Sequence, residues 1–107
     1  MRGNRWGCAL ALTLGGLAAC SSNDSRIYDA YKCAHVAKIF SRSSQADAAI
    51  RKIAPLLEQK NENPRIYMMA MRDKLTDDLA LYKLSPAGQG ERLRDIYESG
   101  TCQKLYE

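Results

Sequence analysis

Residues 25–41 read Ser-Arg-Ile-Tyr-Asp-Ala-Tyr-Lys-Cys-Ala-His-Val-Ala-Lys-Ile-Phe-Ser. Apolar side chains recur there at Ile27, Ala30, Tyr31, Ala34, Ala37 and Ile39 or Phe40. Those steps of three and four line one face of an α-helix. Ser25 stands where an N-cap belongs, and the pattern runs out near Ser41. The same period continues beyond it. Ser43 or Ser44 is placed to cap a second helix with Ala46, Ala49, Ile50, Ile53 and Leu57 on one face. Pro55 removes the bond to the Arg51 carbonyl, which predicts a kink or break there.

The run Lys60-Asn61-Glu62-Asn63 reads as a loop, and Asn63-Pro64 as an N-cap followed by proline at the first helical position. A long third helix is expected to about Leu84, with Met68, Met71, Leu75, Leu79 and Tyr82 as its apolar stripe. Ser85-Pro86 repeats the start signal for a fourth helix carrying Leu93, Ile96 and Tyr97. Gly100 is its expected C-cap; Cys102 follows, with Leu105 and Tyr106 packing back. No stretch alternates with period two in Val, Ile and Thr. The expectation is an all-α, four-helix domain.

The start of the chain has a different character. Arg2 and Arg5 precede an apolar stretch from Trp6 to Leu17, and no acid occurs before Asp24. About a dozen residues is the length of a signal-peptide core and short of the roughly 20 needed to span a bilayer. Leu17-Ala18-Ala19-Cys20 closes the run, with small residues before the cysteine. Residues 1 to about 22 thus resemble the leader of a bacterial prolipoprotein. The resemblance implies cleavage before Cys20, leaving residues 1–19 as signal peptide, and acyl chains on the Cys20 sulfur and its new amino group. Each buried methylene contributes about 0.8 kcal/mol, so two or three chains hold firmly where one exchanges. Serine at position 21 implies sorting to the periplasmic face of the outer membrane, with the inner membrane as the other destination. The plainer alternative is a secretory signal that leaves Cys20 a free thiol.

On that reading Cys8 leaves with the leader and Cys20 carries lipid. Two of the four cysteines, Cys33 and Cys102, remain in a compartment that permits disulfides. A Cys33–Cys102 bond would close a loop of about 70 residues and remove about 4 kcal/mol of freedom from the unfolded chain. Two structural thiols are the alternative. A metal pair lacks third and fourth ligands, since His35, the only histidine, points away from Cys33 on a helix.

Cleavage leaves 88 residues, enough for one core. Ser21 to Ser25 is the tether, reaching at most about 17 Å, so that residues 20–25 hold a domain of residues 26–107 against the membrane. Losing Arg2 and Arg5 leaves 14 basic residues against 12 acidic ones, spread along the chain. That balance offers nucleic acid nothing to follow.

Nothing points to catalysis. His35 has no activating carboxylate beside it, and Asp77 and Asp78 diverge on a helix as solvated charge beside Lys74. Gly88-Gln89-Gly90 lacks the strand and lysine of a phosphate cradle. No cofactor beyond the lipid on Cys20 is expected, and no small-molecule substrate. Two features point to binding instead. Tyr67, Met68, Met69 and Met71 cluster at the start of the third helix, and methionine adapts to a groove for another protein's helix. All six tyrosines follow Cys20, and tyrosine suits interfaces, although half-buried tyrosines also fit a small core.

In size and anchoring the chain is similar to pilotins, lipoproteins that grip a secretin helix and carry it to the outer membrane. It is similar in the same terms to the exclusion lipoproteins of conjugative plasmids. Both likenesses imply a non-catalytic protein-binding accessory role near the membrane and carry over no binding residues. A periplasmic inhibitor or chaperone is the alternative class.

Overall fold

A computed structural model describes residues 22–60 and 62–107. The leader, Cys20 and Asn61 lie outside the described residues. Five helices follow in order: α1 (Asn23–Ile39), α2 (Ser43–Glu58), α3 (Pro64–Leu79), α4 (Pro86–Tyr97) and α5 (Gly100–Tyr106), with a 3-10 turn at Leu81–Lys83 before α4. Among the described residues there is no strand. The all-α expectation holds, the four expected helices are present, and a fifth short one is added.

α1 sits at the centre. Ile27, Tyr28, Ala30, Cys33, Ala34, Val36 and Ala37 are all buried and point around more than one side of the helix, so α1 is covered on several flanks. Its small residues meet those of α2. Ala34, Ala37, Ala46 and Ala49 are 5% exposed or less and let the two backbones approach closely. Ile53 from α2, Met71, Leu75 and Leu79 from α3 and Leu93 from α4 fill the larger cluster with Ile27, Tyr28 and Val36.

The disulfide expected from the cysteine count is present. Cys33 and Cys102 are bonded with Cα atoms 5.3 Å apart, which staples α5 to the middle of α1 across 69 positions of sequence. The Tyr106 hydroxyl donates to the Cys33 carbonyl at 2.7 Å in the interior. Burial first, and then neighbouring Tyr97, pushes the Tyr106 phenol up to about 12. The Tyr97 ring packs against Tyr106 at 5.2 Å and against Phe40 at 5.4 Å, and its hydroxyl donates to Gln45.

The helix starts at proline are as expected. The Asn63 side chain accepts from the amides of Arg65 and Ile66, and the Ser85 hydroxyl accepts from that of Gly88. Other boundaries differ. α1 is capped by Ser22, whose hydroxyl accepts from the Ser25 amide at 3.1 Å, so Ser22 to Ser25 form a cap and first turn where a tether was expected. The cap residue before α2 is Arg42, without a side-chain hydrogen bond, and Ser43 and Ser44 are already helical. α2 runs through Pro55 without a break. Arg51 and Pro55 both face solvent, where water can take the carbonyl that proline leaves unbonded.

α3 stops five residues short of Leu84. Ala80 adopts a left-handed conformation (φ 46°), and the Arg92 guanidinium donates to the Leu79 carbonyl at 2.6 Å, closing the helix end. Gln89 then bonds the carbonyls of Leu81 and Leu84. Tyr82, expected on the apolar stripe, is consequently turned outward and 73% exposed. Gly100 is not a C-cap either. α4 ends at Tyr97 with Glu98 as its C-cap, and Ser99, whose hydroxyl accepts from the Cys102 amide, caps α5 with Gly100 as its first helical residue.

Ser41 (φ 61°) ends α1, with its amide on Lys38 and the next amide on Ala37, a Schellman arrangement whose left-handed position favours glycine. Ser41→Gly should therefore raise stability by about 0.5–1 kcal/mol, and Ser41→Val should lower it, since a β-branched residue resists that conformation. Thermal unfolding of both variants checks the opposite signs.

Candidate interaction groove

α3 is attached to the rest of the domain differently from the other helices. Its fully buried apolar contribution is the single row Met71, Leu75 and Leu79; no disulfide holds it, and polar tethers flank the row at either end. At the N-terminal end, Asp24 of α1 accepts from the Lys60 ammonium at 2.5 Å and from the Tyr67 hydroxyl at 3.1 Å. At the other end, the Tyr28 hydroxyl of α1 donates to Asp78 at 2.5 Å. The Lys74 ammonium lies 4.5 Å from the Tyr28 ring centre and 3.5 Å from Asp78.

Between these tethers the helices part, leaving an open groove of about 380 Å3. Asp24, Ser25 and Tyr28, one turn of α1, form one wall. Tyr67, Ala70, Met71 and Lys74, which follow the i, i+3, i+4, i+7 row of α3, form the other. Met71 is buried in its floor, and the two tyrosine rings stand at its sides. Charged groups sit only at the ends, already paired with one another. The surface between them is apolar, a shape suited to receiving apolar side chains from another chain.

The four residues expected to bind a partner are thus divided. Tyr67 and Met71 line the groove. Met68 is half-buried in a smaller recess of about 80 Å3 with Leu57 and Pro64, on the far side of Tyr67. Met69 is 50% exposed on the outer face of α3. The methionines therefore do not form one continuous surface. Tyr97 and Tyr106 serve the fold instead, with their hydroxyls spent on internal partners, while Tyr28 spends its hydroxyl on Asp78 and lends its ring to the groove.

Asp24, Ser25, Tyr28, Ala70 and Asp78 escaped the sequence reading, because the bonds that bring the two walls together join residues 36 to 50 positions apart. Asp78 in particular was expected to be free surface charge. Only its Lys74 contact, at i, i+4, had a local signal.

The other chemistry-bearing residues do not converge. His35 is exposed and borders a shallow depression on the other flank of α3, with Leu79 and Tyr82. Among the described residues no three of His, Cys, Asp and Glu are grouped to hold a metal ion, and no helix is long and apolar enough to cross a membrane.

The tethers make the attachment of α3 depend on pH. Lys60, then Tyr67, hold the Asp24 carboxyl below its ordinary range, and Tyr28, then Lys74, do the same for Asp78. A carboxyl lowered in the folded state stabilises fully above its unfolded value, about 3.9, and that support is lost as pH falls through the lower folded values. Amide exchange in residues 64–79, taken relative to the intrinsic rate at each pH, should therefore quicken below about pH 4, ahead of the stapled α1–α5 core. Asp78→Asn should quicken it already at neutral pH.

No family model matches the chain, and no curated protein or solved structure matches it either.

Proposed function

We propose that the protein is a lipid-anchored, non-catalytic accessory factor that binds an apolar segment of an envelope protein in the α1–α3 groove. The anchor is the acylated Cys20, and the place of action is the periplasmic face of the outer membrane. The observation that carries this reading is the position of the groove. Its first wall begins at Asp24 and Ser25, four and five residues after Cys20. An amphipathic helix laying one apolar stripe between Tyr28 and Tyr67 would match the groove's chemistry, with Met71 adapting beneath it. The ring walls are held by hydrogen bonds before any partner arrives, which limits the ordering that binding would require.

This is the pilotin-like role expected from size and anchoring, with the binding surface now reassigned. Tyr67 and Met71 remain in it, Asp24, Ser25, Tyr28, Ala70 and Lys74 join it, and Met68 and Met69 leave it.

A photo-crosslinker at Ser25 in whole cells tests the proposal. One discrete adduct is expected from Ser25 and none from Thr101, which lies beside the disulfide. Ala70→Trp, which fills the groove from an exposed position, should abolish the adduct while the thermal unfolding midpoint stays unchanged. An adduct that survives Ala70→Trp, or the same adduct from both positions, contradicts groove binding.

A further inference from the structure

Among the described residues, four large apolar side chains are strongly exposed: Ile39, Ile66, Met69 and Tyr82. Ile66 (64%) and Met69 (50%) are one turn apart on the outer face of α3, and no tether or recess described above uses them. Their place in the domain is fixed by Asp24. That carboxylate holds Tyr67, the residue between them, and Lys60, just before α3, onto the first turn of α1. Cys20 precedes the Ser22 cap by two residues and can lie no farther from it than roughly 7 Å of extended chain. The exposed apolar pair and the acylation point therefore share one end of the molecule.

The same face of α3 changes character along its length. After Ile66 and Met69 it continues through Asp73 and Asp77, both exposed. Met69 and Asp77 are eight residues apart, about 12 Å along the axis. Arg65, also exposed, adjoins the apolar pair. A partner helix lying along this face would meet apolar and acidic halves in succession. A phospholipid surface meeting only its first two turns would take up the apolar pair with the arginine at headgroup level and leave the acids in water.

From this juxtaposition we propose that Ile66 and Met69 are a second membrane contact, inserting into the bilayer interface beside the lipid on Cys20. The pair orients the domain with the first turns of α1 and α3 toward the membrane. Two contact points replace one, so the groove between those helices opens at the bilayer surface and receives a segment lying at that surface. The inference rests on the anchor of the proposed function and adds the pose.

The chain's one tryptophan, Trp6, precedes Cys20, so the mature protein is free of tryptophan and a single introduced indole reports alone. The experiment uses acylated protein carrying Met69→Trp, Ile66→Trp or, as a reference away from the anchor, Tyr82→Trp. Each is reconstituted into phospholipid vesicles whose acyl chains are brominated near the headgroup. Vesicle-bound protein should lose most of its emission with the probe at 69 or 66 and keep it with the probe at 82. Pelleting with vesicles while the probes at 66 and 69 emit as in water overturns the pose and leaves the anchor standing. Equal quenching at all three positions also overturns it. Failure to pellet at all removes anchor and pose together.

Discussion

The covalent link between the middle of α1 and the last helix is the constraint on which this domain depends. With 88 residues from Cys20 onward, the chain has little apolar surface to bury, and its central helix meets α2 largely through alanine. Alanine seams pack closely but remove little area from water per residue. The Cys33–Cys102 bond offsets that shortage by restricting the unfolded chain, by about 4 kcal/mol for a loop of this length. It also decides where rigidity lies. α5 is locked onto α1 by the bond and by Tyr106 on the Cys33 carbonyl, and α2 and α4 close over the same helix. α3 is outside that lock.

A helix held by one apolar row and two polar tethers is suited to carrying a binding surface. The bonds of Asp24 to Tyr67, with Lys60 beside it, and of Tyr28 to Asp78 keep α3 at a defined separation from α1, and the gap they maintain is the groove. Exposed ion pairs contribute little to global stability. Here they position two aromatic walls, and local loosening at α3 would alter the groove without unfolding the stapled body. The disulfide and the groove are thus complementary: one part of a small domain is fixed so that the other can be adjustable.

Much of this was legible in the chain because the signals were local. Asn63-Pro64 and Ser85-Pro86 each supply a side-chain acceptor and a residue whose missing amide costs nothing at a helix start, and both helices begin there. The disulfide was legible by arithmetic once the leader resemblance had removed Cys8 and Cys20. The misplacements came from tertiary contacts. Arg92 and the left-handed Ala80 end α3 before Leu81 and Tyr82, which continue the helical period perfectly well on paper. Gly100, expected to close the fourth helix, instead opens α5, since the Ser99 hydroxyl reaches the Cys102 amide and caps a new helix there. The binding surface was half legible. Composition marked Tyr67 and Met71, but their opposite wall belongs to a helix some forty positions away, and only the fold brings the two together.

The proposed role depends on the chemistry at residue 20. Intact mass spectrometry of the protein extracted from membranes under non-reducing conditions tests it most directly. The account predicts the mass of residues 20–107 plus a thioether-linked glyceryl group bearing two acyl chains, with or without a third acyl chain on the amino group, less the two hydrogens lost in forming Cys33–Cys102. The mass of an unmodified residue 20, or of a chain that retains residues 1–19, would contradict it.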